Sequence, residues 1–184
     1  MIITKTPLEG LLIIEPKVHG DDRGYFFESY NMKELEAQTG YNTPFVQDNQ
    51  ARSIKNVLRG LHYQNYPVPQ AKLIRVLEGV IWDVVVDVRK KSPTYGQWFG
   101  VELSAENKKQ FLIPHGFAHG YAVLSDTAEV FYKCDNFYNK PTEGGVFYND
   151  PALNIDWRID LSKAIVSEKD MKQPLLKDAN NGYE

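Results

Sequence analysis

The segment from Lys72 to Val88 constrains the fold of this chain more than any other part of the sequence. Its apolar residues recur at every second position, which is the period of a β-strand. Ile74 and Val76 share one face, and the apolar set then continues opposite charged residues. This continuation comprises Val80, Trp82, Val84, Val86 and Val88, and the charged residues opposite are Arg75, Asp83 and Asp87. The pattern predicts a pair of strands that turns near Glu78-Gly79.

Short runs of aromatic and β-branched residues, separated by turn-forming residues, continue through the rest of the chain. The turn signals are Gly24, Gly40 with Asn42 and Pro44, Pro67, Pro69, Ser92-Pro93, Pro114 and Gly144-Gly145. Further strands are predicted over residues 100–103, 110–113, 120–124 and 129–134, with a helix over 32–39 and weak helical character over 162–171. We therefore expect a mainly β sandwich or barrel with a few short helices.

Bulk composition narrows the class of protein. The 184 residues contain no linker, repeat or low-complexity stretch, so one domain is expected over residues 1–184. A formal net charge of -3 argues against a nucleic-acid-coating surface, which normally has a strong basic excess. The single cysteine, Cys134, excludes an intramolecular disulfide and favours the reducing cytoplasm. The apolar run at 11–14 is too short for a signal peptide or a membrane span.

Two stretches place histidines in a strand-and-turn context. The stretch PHGFAHGY, residues 114–121, fits the P-x-G-x-x-H pattern of the second cupin motif and supplies His119. The stretch LRGLHYQNYPVPQAKLIRVLEG, residues 58–79, resembles the first cupin motif and supplies His62. Together they predict a cupin-type jelly-roll barrel or sandwich.

The metal ligands of that superfamily are not at their usual positions. Metal-binding cupins have a second histidine two residues after the first and a carboxylate farther on, whereas this chain has Gln64 and Lys72. An ammonium group at a ligand position cannot coordinate a divalent cation and repels it. We therefore expect the cupin fold without a metal or any other cofactor.

A histidine, a lysine and a tyrosine in a dry barrel suit the removal of a proton beside a ketone. A neutral imidazole can take the proton, and a fixed ammonium group can stabilise the enolate oxygen that develops. A tyrosine hydroxyl can return a proton on the opposite face. Inversion at carbon requires such groups on both faces of the substrate.

Six motifs occur in an order shared with a known family. They are DDRGYFFESY (21–30), FVQDNQARS (45–53), VLRGLHYQ (57–64), KLIRVLEGVIWDVVVDVR (72–89), PHGFAHGY (114–121) and SEKD (167–170). Through them the chain resembles, along essentially its whole length, the dTDP-4-dehydrorhamnose 3,5-epimerase (RmlC) family of the cupin superfamily. The resemblance implies an isomerase that inverts C3 and C5 of dTDP-4-dehydro-6-deoxy-D-glucose to give dTDP-4-dehydro-L-rhamnose.

The resemblance also implies catalytic roles. His62 is expected to be the general base, oriented by Asp170, and Tyr132 the acid on the far face. Lys72, helped by His119, is expected to stabilise the enolate. Taken alone, a tyrosine in a strand-rich chain is usually a packing residue, and the charged segment around Asp170 is typical of a solvated helical face.

A nucleotide site and a dimer are implied in the same way. The residues expected near the diphosphate are Arg23, Arg59 and Lys169, with Glu28, Gln47 and Asn49 as polar contacts, Glu143 in the pocket and Tyr138 stacked on thymine. The homodimer implied by the resemblance pairs N-terminal strands with the partner's sheet, so that Arg23 and Glu28 complete the neighbouring site. His19 and His115 receive no role.

Three alternatives remain open. The first is a non-catalytic jelly roll that binds a sugar nucleotide or another carbohydrate, since this architecture serves lectins as well as enzymes. The second is a metal-dependent cupin oxygenase or isomerase. The third is a relative that epimerises only C3, or a ketoisomerase, acting on a related dTDP-4-keto sugar. Whether C5 inverts depends on how the sugar ring sits, which sequence spacing does not determine.

Overall fold

Two antiparallel sheets face each other in the computed structural model, which describes residues 1–183. The first sheet contains, in spatial order, β1 (Ile2–Lys5), β2 (Leu12–Glu15), β10 (Gln110–Ile113), β7 (Lys72–Glu78), β12 (Thr127–Cys134) and β5 (Gln47–Ile54). The second contains β13 (Glu143–Gly145), β6 (Val57–Gln64), β11 (Phe117–Val123), β8 (Val80–Asp87) and β9 (Trp98–Ser104), and β14 (Ile165–Val166) pairs in parallel with β6. A hairpin of β3 (His19–Asp21) and β4 (Gly24–Phe26) pairs only within itself.

Helical segments are short. They are α1 (Met32–Thr39), α2 (Glu168–Met171) and the 3₁₀ turns Lys140–Thr142, Leu161–Lys163 and Leu176–Asp178. The bounds of α1 agree with the prediction, because both of its ends are encoded locally. The Asn31 side chain accepts a hydrogen bond from the Glu34 amide at the start, and Gly40 adopts the left-handed conformation (φ 75°) at the end. Among residues 1–183, every helix is too short or too polar to cross a bilayer.

The main core lies between the two sheets. Ile74, Phe111 and Val130 from the first sheet pack in one cluster with Ile81 and Val85 from the second. A second cluster covers the outer face of the second sheet, where segments that follow β13 contribute Leu153 and Trp157. A third cluster covers the outer face of the first sheet and includes Leu35 of α1. The second sheet is thus buried on both faces.

Two predictions for the central segment were wrong. The chain does break at Gly79, but β7 and β8 do not pair with each other, since β7 lies between β10 and β12 and β8 between β11 and β9. The two strands therefore continue into opposite sheets. The apolar residues also divide, so that Ile74 belongs to the core between the sheets and Val84 to the cluster outside the second sheet. Covering both faces of β8 leaves Asp83 fully buried.

The other predicted elements lie close to their expected positions. Strand β10 has its predicted bounds, and β9, β11 and β12 each overlap a predicted strand with ends that differ by up to three residues. The region 162–171, expected to be weakly helical, contains part of a 3₁₀ turn, the strand β14 and the single turn of α2. Inserting β14 next to β6 directs α2 toward the space between the sheets, and the candidate site lies there.

Candidate active site

The centre of the site is a pair formed by His62 and Asp170. His62 Nε2 lies 2.6 Å from Asp170 Oδ1, and the other carboxylate oxygen accepts the Gly60 amide at 3.2 Å. Burial acts to raise the pKa of Asp170, but the hydrogen bonds from His62 and Gly60 outweigh it and lower the pKa below its usual value. An ionised carboxylate only accepts hydrogen bonds, so Nε2 carries the proton and Nδ1 is left with a free lone pair. His62 is held in the tautomer that can act as a base.

The chain brings Asp170 to this position through local geometry. β14 pairs in parallel with β6 through Val57 and Leu58, and α2 follows directly. Ser167 caps α2 by accepting a hydrogen bond from the Asp170 amide at 3.1 Å. The side chain of Asp170 is only 5% exposed, so the segment that resembles a solvated helical face buries one of its two carboxylates against the strand that carries His62, while Glu168 stays in solvent.

Lys72 and Tyr132 approach from the opposite sheet. They lie on the adjacent strands β7 and β12, whose inner faces also carry Ile74 and Cys134. Burial lowers the pKa of the Lys72 ammonium, and the nearby Cys134, Asp135, Asp83 and Glu143 partly offset this effect. Burial raises the pKa of the Tyr132 phenol to about 12, so it is protonated at neutral pH. The first sheet therefore presents a cationic or polar donor and a phenolic acid to the second sheet.

A second histidine pair lies beside the first. His119 faces His62 in the ladder between β11 and β6, and its Nε2 lies 3.0 Å from both carboxylate oxygens of Asp83. Burial raises the pKa of Asp83, and the nearby His119 and Lys72 oppose that rise. The burial of a carboxylate among apolar strands requires such partners, since an unpaired buried charge is strongly destabilising.

These residues share one cavity of about 550 Å³. Of the residues expected from the sequence, it is lined by Arg59, His62, Lys72, His119, Tyr132, Lys169 and Asp170. Arg59 is held by its Nε, which donates to Ser53 Oγ at 3.1 Å. Because His62 and Tyr132 belong to opposite sheets, a ring bound here can have a base on one face and an acid on the other.

A second cavity of about 290 Å³ adjoins the first, since His62, Lys72 and Tyr132 line both. The other expected residues on its wall are Gln47, Asn49, Tyr138 and Glu143. Tyr138 Oη donates to Glu143 Oε2 at 3.0 Å, and Lys169 Nζ donates to Glu143 Oε1 at 2.5 Å. Although burial acts to raise the pKa of Glu143, these two donors lower it. The second cavity thus has a polar wall with a half-exposed aromatic ring at its edge.

Arg23 and Glu28 do not reach either cavity within one chain. Arg23 lies in the β3–β4 hairpin, where its guanidinium is 90% exposed and paired with Asp21. Glu28 precedes α1 and accepts a hydrogen bond from Asn31 Nδ2 at 3.3 Å. Their expected part in the site therefore depends on a second chain and stays a prediction.

Sequence patterns did not identify several residues that lie near the site. Asp83 was assigned only to a charged strand face, although an aspartate within an apolar run, between Trp82 and Val84, is itself a signal of a buried partner. Ser53 and Tyr121 carry no sequence signal that separates them from ordinary strand residues. His115 has a structural partner, since its Nε2 lies 2.7 Å from Asp135 Oδ2, which also accepts a hydrogen bond from Tyr41 Oη at 3.0 Å.

Within residues 1–183, no three His, Cys, Asp or Glu side chains come together as a group that could hold a metal ion. The first-motif positions that bind metal in other cupins hold Gln64 and Lys72. The expectation that the reaction uses no metal or cofactor stays a prediction.

Comparisons with known proteins agree over nearly the whole chain. A sequence model of the family described as dTDP-4-dehydrorhamnose 3,5-epimerase matches residues 5–178. A relative of that description from Shigella flexneri is 51% identical over 180 residues, covering 98% of each chain.

Solved structures give the same result. The crystal structure of a dTDP-4-dehydrorhamnose 3,5-epimerase from Elizabethkingia anophelis matches with a TM-score of 0.93 and 56% identity over 97% of each chain. An epimerase from Legionella pneumophila, solved in complex with dTDP-4-keto-L-rhamnose, matches with a TM-score of 0.92 and 50% identity over 96% of this chain and 93% of that one. A 3'-monoepimerase from Streptomyces bikiniensis, in complex with dTDP-quinovose, matches with a TM-score of 0.88 and 34% identity over 94% of this chain and 86% of that one.

The chain is therefore an isomerase built on a cupin-like jelly roll. It belongs to the dTDP-4-dehydrorhamnose 3,5-epimerase family. The predicted fold class and the family resemblance are both confirmed.

Proposed function

We propose that this chain inverts both C3 and C5 of dTDP-4-dehydro-6-deoxy-D-glucose to give dTDP-4-dehydro-L-rhamnose, without a metal or cofactor. The observation that carries the proposal is the placing of His62, with its buried Asp170 partner, opposite Tyr132 across one cavity that Lys72 also lines. The ketone at C4 acidifies both neighbouring carbons, so one set of groups serves both inversions.

The first step is removal of the proton at C3 by His62 Nδ1. The two electrons of the C–H bond form the C3=C4 double bond, and those of the carbonyl π bond move to O4. The imidazolium that results is stabilised by the ionised Asp170 at 2.6 Å. An isolated imidazolium in this half-buried position would be less stable, so the carboxylate lowers the barrier to proton transfer.

The negative charge that appears on O4 needs a donor that is already in place. Lys72 suits this role, because a buried ammonium gains more from an adjacent anion than a hydrated one does. His119, whose Nε2 is held by Asp83, adds a second donor on the side of the other sheet when its free nitrogen, Nδ1, carries a proton. Both groups interact more strongly with the enolate than with the neutral ketone, which is the condition for a contribution to catalysis.

Inversion is completed by Tyr132, which donates its phenolic proton to the opposite face of the same carbon. The double bond returns its electrons to C4=O4, and the resulting phenolate recovers a proton from solvent while His62 releases one. Arg59 lowers the pKa of Tyr132 and so favours the phenolate that forms after donation, although burial dominates. The same sequence at C5 gives the second inversion.

The nucleotide end of the substrate is proposed to extend from Arg59 and Lys169 to Tyr138. Arginine presents a planar fork to phosphate oxygens, and Lys169 is more than half exposed at the cavity edge. The exposed ring of Tyr138 suits stacking on thymine, with Glu143, Gln47 and Asn49 as polar contacts on the same wall.

We further propose that the protein is a cytoplasmic homodimer in which the β3–β4 hairpin is the exchanged segment. β1 and β2 already belong to their own sheet, whereas β3 and β4 pair only with each other. The hairpin exposes Tyr25 and Phe26, at 64% and 68%, next to Arg23. Burial of these rings on a partner would bring Arg23 and Glu28 to the partner's nucleotide site. The free cysteine, Cys134, suits a reducing compartment.

The test is solvent exchange followed by NMR. In deuterated water, the protein with its 4-keto sugar nucleotide should place deuterium at both C3 and C5, and trapping with a 4-keto reductase should yield the L-rhamno product. His62→Ala should abolish exchange at both carbons, while His115→Ala, outside both cavities, should retain it. Normal turnover by the His62 variant would remove the proposed base, and wild-type exchange no faster than in buffer would favour a binding module.

One observation supports a second candidate, in which only C3 is inverted. A 3'-monoepimerase shares this fold at a TM-score of 0.88, so the jelly roll alone does not decide the outcome at C5. Deuterium at C3 with none at C5 would select this reaction.

A further inference from the structure

Gln64 stands where other cupins have a metal ligand, and its side chain has a different use here. It is the last residue of β6 and is 3% exposed. Its Nε2 donates to the carbonyl oxygen of Phe137 at 3.1 Å and to that of Val68, and its Oε1 accepts the Asn139 amide at 2.9 Å. A carboxamide has two N–H donors, and both are used by backbone carbonyls. Gln64 therefore has no donor left for a ligand.

The bonds of Gln64 fall on the two residues that flank Tyr138. Phe137 is held through its carbonyl and Asn139 through its amide, and the amide of Tyr138 itself donates to Gln47 Oε1 at 2.8 Å. Residues 137–139 belong to no helix or strand, so side chains from β5 and β6 replace the ladder that would otherwise order them. Loops without such bonds are normally the mobile parts of a protein.

The same residue also aligns the partner of the Tyr138 ring. In the ladder between β13 and β6, Glu143 is directly opposite Gln64. Glu143 Oε2 accepts the hydrogen bond from Tyr138 Oη at 3.0 Å. Gln64 thus sets the backbone of Tyr138 through its side chain and the acceptor of the Tyr138 hydroxyl through its main chain. Both ends of an exposed aromatic ring are fixed relative to one strand.

We propose that Gln64 is a positioning residue that holds the Tyr138 ring ready for the base of the nucleotide. The proposal rests on the proposed function, in which Tyr138 stacks on thymine. An ordered ring loses less conformational entropy on binding than a mobile one, so holding the Tyr138 ring in place increases the affinity for the nucleotide. Because the bonds lie away from His62 and Tyr132, they stabilise the bound substrate and the transition state equally. Their loss raises KM and leaves kcat unchanged.

The experiment is a double-mutant cycle on nucleotide binding. Gln64→Met keeps the length of the side chain and removes its hydrogen bonds, and it is expected to weaken binding of dTDP about tenfold, with a similar rise in KM for the sugar nucleotide. In a Tyr138→Ala background the same change should have no further effect on the Kd of dTDP, since the group that it positions is absent. Amide hydrogen exchange over 137–139 should become faster in Gln64→Met.

A matched control separates positioning from general stability. Asn107 is another carboxamide that holds a loop, since its Nδ2 donates to the Glu102 carbonyl at 3.0 Å and its Oδ1 accepts the Ser104 and Lys109 amides, and it lies outside both cavities. Asn107→Leu should lower Tm without changing the Kd of dTDP. Gln64→Glu keeps the acceptor for the Asn139 amide but turns an oxygen toward the Phe137 and Val68 carbonyls, so it should weaken dTDP binding at least as much as Gln64→Met.

Equal weakening of dTDP binding by Gln64→Met with and without Tyr138 would overturn the proposal, as would no weakening at all. Failure of both Gln64 variants to fold would assign the residue to folding and would overturn it too. If the wild-type protein neither binds dTDP nor exchanges deuterium, the proposed function itself fails, and this outcome is distinct from the others.

Discussion

Replacing Asp170 by asparagine changes a proton position with little change in shape. In the wild-type protein, the ionised carboxylate requires the proton of His62 on Nε2, leaving Nδ1 as the base. An asparagine has the same size, but its amide nitrogen can donate to Nε2 and so favours the opposite tautomer. The proton then occupies Nδ1, where the base is needed.

The size of the effect follows from the contacts of Asp170. A charge-assisted hydrogen bond at 2.6 Å contributes on the order of 2–3 kcal/mol, which corresponds to about 30- to 150-fold in rate. The unfavourable tautomer adds to this loss, so kcat for Asp170→Asn should fall by at least about 100-fold. KM should change little, because the carboxylate is turned toward His62 and Gly60.

The assay is initial-rate deuterium exchange at C3, with Asp160→Asn as the control. Asp160 also bonds a backbone amide, that of Ser162, but it lies on an exposed 3₁₀ turn outside both cavities. The stability of the variant provides a second readout. Because the folded-state pKa of Asp170 is lowered, its ionised form stabilises the fold above the unfolded pKa, and this stabilisation is lost as pH falls through the folded value. The stability gap between wild type and Asp170→Asn should therefore close in acid. A loss of less than about threefold in kcat would refute the tautomer argument.

Three further predictions concern other parts of the site. Tyr132→Phe should retain deuterium exchange at C3 on the His62 face but yield no inverted product by NMR. The control, Tyr95→Phe, should behave as wild type. Full inversion by Tyr132→Phe would exclude Tyr132 as the acid. Lys72→Met should lower kcat by about 100-fold or more, because the enolate loses the ammonium donor at the cavity; a near-normal kcat would contradict this role. If Arg23 serves the partner's site, equal amounts of Arg23→Ala and His62→Ala chains, unfolded and refolded together, should recover about a quarter of wild-type activity. Half of the dimers are then mixed, and each mixed dimer has one site with both residues intact. No recovery would place Arg23 outside the partner's site.

Local patterns predicted the elements that depend on neighbouring residues. The helix α1 has its predicted bounds because its caps, Asn31 and Gly40, lie next to it in the chain. The strands around Lys72 and Trp82 were located by their alternation, which any strand covered on a face shows. Alternation does not report which neighbour a strand takes, and the pairing of β7 with β8 was predicted wrongly for that reason.

Some residues of the site were also predictable from local patterns, and others were placed only by the fold. The motifs located His62 and His119, because glycine and proline at short spacing mark the turns around them. The burial of Asp83 was not predictable from alternation, since its strand becomes covered on both faces only when the segments after β13 fold over it. The use of Gln64 to hold the Tyr138 segment depends on residues more than seventy positions away in the chain.

The sequence alone determined that the chain is mainly β, where most of its central strands and its helix lie, and which family it belongs to, because these depend on periodicity, turn residues and short motifs. The tertiary structure alone decided which sheet each strand joins and how His62, Asp170, Lys72 and Tyr132 share a cavity. His62 and Asp170 are 108 positions apart, and their contact exists only because the packed core fixes both segments. The free energy of such a contact comes from burial of distant segments against each other, which no local pattern records.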